Sequence, residues 1–276
     1  MRAMRIHRHG GADVIQDDDI PRPAPGPDEV LIKVAATSFN PSDLGVRRGL
    51  LPVDLPCTLG CDVSGTVVAT GDRVIGRVPD ASAEYVVAPA ADLVPAPATI
   101  PLVDAAAIPV AGLTAWQAVF EHAEIRPGQR VLINGAGGGV GGFAVQLARY
   151  AGAYVIATAS PRSAGTVREQ GADEIVDYTT TPLPAGVDVV LNLAHLEPPQ
   201  VAEISSLAPV LVSVTVPVGR HFVARNDPGQ LAELVALIDA GVVRVDVAGC
   251  RPLTELAAVH RDAEANRLRG KTVLTP

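Results

Sequence analysis

The run Val131-Leu-Ile-Asn-Gly135-Ala-Gly137-Gly138-Gly139-Val140-Gly141-Gly142, continuing into Phe143-Ala-Val-Gln-Leu-Ala-Arg149, constrains the fold more than any other stretch. An apolar β-type segment empties into glycines, and a helix with small residues on its first turn leaves them. Glycines let backbone turn sharply and come close to an anion, and the N–H groups of a helix start face negative charge. A pyrophosphate suits such a turn. Two glycine registers overlap, G-x-G-x-x-G at Gly137, Gly139 and Gly142, and G-x-x-G-x-x-G at Gly135, Gly138 and Gly141. The sequence leaves open which glycine faces phosphate. A second apolar strand, Tyr154-Val-Ile-Ala-Thr158, completes the strand–turn–helix–strand context that separates this motif from a structural glycine turn.

From residue 130 onward strand and helix patterns alternate: strand 131–134, helix near 140–151, strand 154–158, helix near 163–170, then strands 174–177, 187–191 and 210–216. Continuous apolar strands separated by helical periods predict a parallel sheet covered on both faces. Asp227-Pro228 reads as the start of a further helix, with Leu231, Leu234, Val235 and Ile238 on one face and Gly241 closing it. A last helix near 254–266 precedes a strand at Thr272-Val-Leu. Residues 1–97 differ. Leu31-Ile-Lys-Val-Ala, Asp62-Val-Ser-Gly-Thr-Val-Val and Tyr85-Val-Val are short β-rich runs punctuated by proline and glycine, which predicts a partly open antiparallel β domain. A helical stretch follows from Asp104, broken at Pro109, through Thr114-Ala-Trp-Gln-Ala-Val-Phe120.

Bulk properties exclude several classes. With 276 residues, 48% hydrophobic and a mean hydropathy of +0.27, the chain can fill a core and is not extensively disordered. No segment reaches the ~18–20 uninterrupted apolar residues of a membrane span. The opening Met1-Arg-Ala-Met-Arg-Ile-His has no apolar signal core. Cys57, Cys61 and Cys250 are too scattered for a disulfide framework or a zinc finger. A cytoplasmic protein with reduced thiols is expected. The net charge of −8 argues against a nucleic-acid partner, but local arginines can still reverse the field around one phosphorylated ligand.

Several ordered motifs join the glycine turn: Pro21-Arg-Pro-Ala-Pro-Gly-Pro-Asp-Glu-Val-Leu, Asn40-Pro-Ser-Asp43, Leu59-Gly-Cys-Asp-Val-Ser-Gly65, Gly71-Asp-Arg-Val, Ala83-Glu-Tyr-Val, Gly112-Leu-Thr-Ala and Gly270-Lys-Thr-Val-Leu. Together they resemble the zinc-independent, quinone-oxidoreductase (zeta-crystallin-like) branch of the medium-chain dehydrogenases/reductases, over essentially the whole chain. The resemblance implies an α/β protein with a GroES-like β-rich catalytic domain (residues 1–108 and 227–276) and a Rossmann doubly wound parallel-sheet domain (109–226). It also implies a homodimer, with NADPH and substrate held between the domains. Where zinc-dependent relatives place a cysteine, a histidine and a second cysteine, this chain has Asn40, Cys61 and Val110, so no catalytic metal is expected. Cys61 then reads as a small buried hydrophobe.

The end of the second Rossmann strand addresses the choice of cofactor. NAD-preferring sites place a carboxylate there; this chain has Thr158-Ala-Ser160-Pro-Arg162. Ser160 and Arg162 can bond a 2′-phosphate, and Tyr178 resembles a tyrosine that reaches the same phosphate in relatives, so NADPH is expected. Lys271 and Arg267 are weaker candidates for that phosphate. The expected cofactor contacts are Gly135, Gly137, Gly138, Gly139, Val140, Gly141, Ser160, Arg162, Tyr178, Asn192 and Lys271. Asn40 and Thr114 are the expected catalytic residues, although Asn40 also reads as a turn asparagine before proline, Thr114 as a helix-start residue and Asn192 as a residue supporting the site from behind. Asp43 could organise the loop around Asn40. Among six histidines, His7, His9, His122 and His260 fit surface or capping positions, whereas His195 and His221 lie nearer the ligand edge.

The implied reaction is hydride transfer from NADPH to a quinone or an α,β-unsaturated carbonyl compound, with neither membrane nor nucleic acid as partner. Tyrosines that relatives carry soon after the Asn-Pro-x-Asp turn are replaced here by Gly45 and Leu51, leaving a more apolar pocket. An enoyl-thioester or polyketide-pathway reductase, and a non-catalytic NADPH-binding sensor, remain the alternatives. Compared with that family the chain is also short around residues 67–73 and 216–220.

Overall fold

In the computed structural model, which describes residues 1–276, the chain opens with β1 (Arg2–Ile6) and β2 (Ile15–Asp19), paired antiparallel. The next strand, β3 (Glu29–Ser38), buries Ile32, Val34 and Ala36 on alternate positions while Lys33 stays exposed, the period of a half-buried strand. Helix α1 (Pro41–Arg48) follows, started by a proline and an aspartate in its first turn and ended by Gly49 at φ +76°. Short strands then come in quick succession: β4 (Cys57–Thr58), β5 (Asp62–Val67), β6 (Arg73–Arg77), β7 (Tyr85–Pro89) and β8 (Leu93–Pro95). The β5–β6 connection is a tight turn in which the Gly71 N–H bonds Val67 O at 2.8 Å and the Val67 N–H bonds Asp72 O at 2.9 Å, so the short loop at 67–73 closes on itself.

Helices α2 (Leu102–Ala105) and α3 (Pro109–Trp116) are separated just before Pro109, and α3 runs on into a π-helical turn, Gln117–His122. Strand and helix then alternate: β9 (Arg130–Asn134), α4 (Gly139–Tyr150), β10 (Tyr154–Thr158), α5 (Pro161–Glu169), β11 (Glu174–Val176), β12 (Val189–Asn192), α6 (Pro198–Ser205), β13 (Val210–Ser213) and β14 (Arg220–His221). The last elements are α7 (Pro228–Asp239), β15 (Val247–Pro252), α8 (Leu256–Glu264) and β16 (Lys271–Thr275).

Two compact units result. The first comprises Met1–Val110, Asn226–Asp239 and Val247–Pro276; the second, Ala111–Arg225 and Ala240–Asp246. The first holds a three-stranded sheet, β2-β1-β4, and a seven-stranded sheet ordered β15-β16-β3-β5-β6-β8, with β7 pairing off this path with the first half of β3, from Glu29 to Lys33. Because β16 pairs with β3 at Val273↔Ser38, the two ends of the chain share one core, in which Ile6, Phe39, Leu59, Val259 and Leu274 are buried together.

The second unit is a six-stranded, wholly parallel sheet ordered β11-β10-β9-β12-β13-β14. Counted within the unit, that order is 3-2-1-4-5-6, the doubly wound arrangement whose ligands bind at the carboxyl ends of the strands. Val131, Leu132 and Ile133 have no exposed surface, as a central strand covered on both faces requires. Residues 240–246 join this unit because Gln146 holds Arg244 by two bonds, Nε2 to its carbonyl at 3.0 Å and its N–H to Oε1 at 2.7 Å. The strand expected over 210–216 ends at Ser213. Beyond it the Val214 N–H makes a last bond across to Asn192 O of β12, and the Val218 N–H turns back within its own segment to Val216 O, so the chain leaves the ladder after residue 214.

Candidate active site

The glycine turn resolves the choice between its two registers. Gly135 sits at φ +90° with its Cα face against the backbone of Leu193 and Ala194, so a side chain there would be both strained and crowded. Gly138 is the exposed N-cap of α4, with no side chain capping the helix. A Cβ on Gly141 would lie 2.6 Å from Ala136 Cα and collide with the carbonyls of Gly135 and Ala136. The sharp turn, the open approach and the close packing of helix on strand thus fall to Gly135, Gly138 and Gly141, the three tasks a phosphate-binding turn demands. Gly137 packs against Ser163 and Gly142 against the amide of Gln170. Gly139 and Val140 occupy the first turn of α4, whose amides have no intrahelical acceptors and are left for an external one.

At the neighbouring strand end, Ser160 is the N-cap of α5 and its hydroxyl makes no cap bond, while Arg162 is exposed on the first turn. Tyr178 is exposed in the turn after β11. β10 and β11 are adjacent, and Ala159 N–H bonds Val176 O at 3.0 Å, so all three residues lie at the carboxyl ends of two paired strands. No carboxylate occupies residues 158–162.

Asn192 ends β12 with no exposed surface. Its Oδ1 accepts from Asn134 Nδ2 at 2.9 Å, and its own Nδ2 lies 3.2 Å from Ala194 O, 3.3 Å from Ser213 Oγ and 3.0 Å from Thr215 Oγ1. Every hydrogen-bonding group of this amide is satisfied by protein. Thr114 is in the interior of α3 and buried, which removes the helix-start reading.

The first unit gathers a different set. Asp62, fully buried on β5, accepts through Oδ1 from the Val110 N–H at 2.8 Å. Its Oδ2 accepts from Ser38 Oγ at 2.5 Å, Asn40 Nδ2 at 2.7 Å and Lys271 Nζ at 3.4 Å. Lys271, 4% exposed, also donates to Phe39 O at 3.0 Å and Asn40 Oδ1 at 2.7 Å. The expectation that Lys271 meets a phosphate is therefore corrected: its ammonium points inward and its donors are taken. Asn40 is likewise 4% exposed, with its Oδ1 held by Lys271 and its Nδ2 by Asp62, so its amide is committed within the cluster and not offered to a ligand. Asp43 does organise the loop. Its Oδ2 accepts from the Asn40 N–H at 2.8 Å, and burial pushes its carboxyl up to about 7, against that hydrogen bond and with the neighbouring Asp62 charge adding to the rise.

Cys61 lies beside this cluster, its Sγ 3.8 Å from Asn40 Nδ2. Burial, reinforced by the carboxylates of Asp43 and Asp62, pushes the thiol well above its ordinary range. Of the three positions compared with zinc ligands, one is an amide bound to an ammonium, one a protonated thiol and one a valine that supplies only its backbone N–H. This donor set does not fit a zinc ion, which takes deprotonated or neutral lone-pair donors and no cation beside them.

The histidines separate clearly. His195 is largely exposed beside Glu197, and His221 is exposed on β14. His122 stacks on Phe222 with ring centroids 3.9 Å apart. His260, expected at the surface, is fully buried edge-on to Phe39 because it shares the inward stripe of α8 with Leu256 and Val259; burial first, and Arg47 second, lower it to about 4. Sequence reasoning missed Asp62, Asn134 and Thr158. A polar residue at the first or last position of an otherwise apolar strand was the available signal.

A GroES-like β unit joined to a doubly wound parallel sheet with a phosphate-type glycine turn is the two-unit architecture of alcohol-dehydrogenase-type oxidoreductases. Residues 26–79 match the alcohol dehydrogenase GroES-like domain, and residues 170–274 match a domain described as zinc-binding dehydrogenase. The NADPH-dependent alkenal/one oxidoreductase of Arabidopsis thaliana chloroplasts is 32% identical over 308 aligned positions, covering 100% of this chain and 80% of that protein. A chloroplast quinone-oxidoreductase homologue of Spinacia oleracea is 39% identical over 193 residues, and there the match covers 62% of this chain and 59% of the relative's own length. The structure of the quinone oxidoreductase from Coxiella burnetii superposes with a TM-score of 0.92 at 29% identity, covering 100% of this chain and 99% of that one. The chain belongs to the quinone oxidoreductase family of the medium-chain dehydrogenases/reductases.

Proposed function

We propose that this protein is an NADPH-dependent oxidoreductase that delivers hydride to a quinone or an α,β-unsaturated carbonyl compound without zinc. The observation that carries the reading is the turn at Gly135, Gly138 and Gly141, open at an uncapped helix start and flanked by Ser160 and Arg162 where an NAD site would hold a carboxylate. The names of the Arabidopsis and Coxiella relatives point the same way.

Bound NADPH supplies the hydride. The protein holds the diphosphate on the amides of Gly138, Gly139, Val140 and Gly141, and the 2′-phosphate on Ser160, Arg162 and Tyr178. The second unit is the cofactor domain and the first the catalytic domain. Thr114 offers a hydroxyl to the substrate oxygen as negative charge develops there, and water returns the proton. Asn40 acts through the Asp62–Lys271 cluster as a positioning residue. That cluster also supports zinc independence, since its ammonium supplies the positive charge at the place compared with the metal site.

Purified protein should oxidise NADPH in the presence of a panel of quinones and enones; no turnover across the panel overturns the reading. Arg162→Ala should weaken NADPH by about ten- to hundredfold while leaving NADH unchanged, the loss of a charge-assisted bond. Equal effects on both cofactors would reject the phosphate assignment.

The same reading includes a cytoplasmic homodimer with neither membrane nor nucleic acid as partner. The free cysteines and the net charge of −8 support it; no helix is long and apolar enough to cross a membrane. The outer edge of β14 is unpaired and Val223 beyond it is 81% exposed, a strand edge suited to pairing with a second copy about a two-fold axis. Sedimentation at micromolar concentration would show a dimer, and a monomer would remove that part.

A further inference from the structure

The carboxyl ends of four adjacent strands in the parallel sheet carry one polar residue each: Thr158 on β10, Asn134 on β9, Asn192 on β12 and Ser213 on β13. Asn134 is 8% exposed and the other three 1% or less. The parallel register sets Asn134 opposite Asn192 and Asn192 opposite Ser213. Their side chains form one continuous row. The Gly135 N–H donates to Thr158 Oγ1 at 2.9 Å, Thr158 Oγ1 donates to Asn134 Oδ1 at 3.0 Å, and Asn134 Nδ2 donates to Asn192 Oδ1 at 2.9 Å. From Asn192 Nδ2 the row ends on Ala194 O, Ser213 Oγ and Thr215 Oγ1, and Thr215 Oγ1 itself donates to Ala194 O at 2.7 Å.

The row has one direction. At one end a backbone N–H can only donate, which makes the Thr158 hydroxyl an acceptor from Gly135 and sends its proton to Asn134. At the other end the Ala194 carbonyl can only accept, which turns the Asn192 NH₂ toward it. Both ends demand the same orientation of the two amides between them, so all links form together or the row breaks. Gly135 is the first residue of the phosphate turn. Ala194 and Thr215 lie just past β12 and β13, on the carboxyl edge across which a dinucleotide extends. Nothing in the row is charged, and no member needs a ligand to be satisfied.

We propose that Thr158, Asn134 and Asn192 are positioning residues that fix the spacing between the glycine turn and the Ala194–Thr215 edge, so that the diphosphate and nicotinamide ends of NADPH are held by one rigid frame. This rests on the NADPH reading above and assigns Asn192 to that frame in place of direct contact.

The test compares two ligands and one backbone probe. Adenosine 2′,5′-bisphosphate engages the 2′-phosphate side alone, whereas NADPH spans the whole edge. In Asn192→Leu affinity for the bisphosphate should stay within about twofold of the parent while NADPH weakens by about tenfold, the loss expected when one buried hydrogen bond is removed; the surface variant Thr215→Val should shift the two ligands in the same pattern by a smaller factor. Thr158→Ser, which keeps the hydroxyl, should restore what Thr158→Val loses. In the ligand-free protein Asn192→Leu should also speed hydrogen exchange at the Gly135 amide, although Asn192 stands two strands away from Thr158. Equal losses for both ligands, or unchanged Gly135 exchange, overturn the frame while leaving NADPH binding intact. A parent protein that binds neither ligand overturns the cofactor reading, and the frame's role with it.

Discussion

Each unit buries a hydrogen-bonded set of polar side chains, and the two sets are built on opposite electrostatic principles. In the first unit Asp62, Asp43 and Lys271 surround Asn40, so charge is balanced by charge within a nearly closed space. In the second, Thr158, Asn134, Asn192 and Ser213 contain no ionisable group, and stability comes from a donor order that only one arrangement satisfies. The ionic set can be made to fail by removing a charge and responds to protons. The neutral set fails by losing direction and ignores pH. An ionic cluster fixes Asn40 firmly but tolerates no missing partner; a neutral row gives up strength for independence from conditions.

The largest effect should come from breaking the ionic set. Lys271→Met leaves Asp62 buried without its cation and should cost about 3–5 kcal/mol, read from denaturant midpoints. Adding Asp62→Asn to that variant should restore part of the loss, because the uncompensated charge is then gone. A single variant as stable as the parent would mean that water reaches Asp62 and the cluster is not closed.

A smaller effect is expected in the neutral set. Asn192→Leu strands the donor of Asn134 and should cost about 1–3 kcal/mol, equally at mildly acid and mildly alkaline pH. A cost that varied with pH would show an ionisable group coupled to the row, and the contrast between the two units would fail.

How much of this was legible depended on how far apart the partners lie in sequence. The glycine turn, β9, α4 and β10 form one continuous segment, so local pattern revealed them, and the alternation after residue 130 indicated the parallel sheet. α1 escaped notice because Pro41-Ser-Asp-Leu-Gly-Val-Arg-Arg48 has few apolar residues to mark a face. Lys271 reads as a surface lysine until it meets Asp62, 209 residues earlier in the chain, and no local pattern announces that meeting. His260 was legible after all: it falls at the spacing of Leu256 and Val259 on the buried side of α8, but its polarity argued for the surface. The row of strand-end residues was visible one strand at a time. Its continuity needed the order β10-β9-β12-β13, which places Asn134 between residues from later strands.

The smallest predicted effect sharpens the contrast most. Asp43 is raised from 3.8 to about 7 by burial, so between those values the folded protein holds a proton that the unfolded chain releases. Its contribution to stability is complete at acid pH and is lost as pH rises through 7. His260 acts with the opposite sign: lowered from 6.5 to about 4, it is neutral in the fold, and stability is lost as pH falls from 6.5 toward 4. The two windows overlap below 6.5, and the His260 window fades above it. From pH 6.5 to 8 the Asp43 contribution falls by roughly 0.8 kcal/mol, about half of it offset as the last protons leave His260 in the unfolded chain, so the parent should lose about 0.4 kcal/mol across that interval. Asp43→Asn keeps an acceptor for the Asn40 N–H and removes the proton, so only the His260 offset remains and its stability should not fall over the same range. If parent and variant change in parallel from 6.5 to 8, Asp43 is already ionised in the fold, and the first unit's cluster carries two carboxylates against one ammonium.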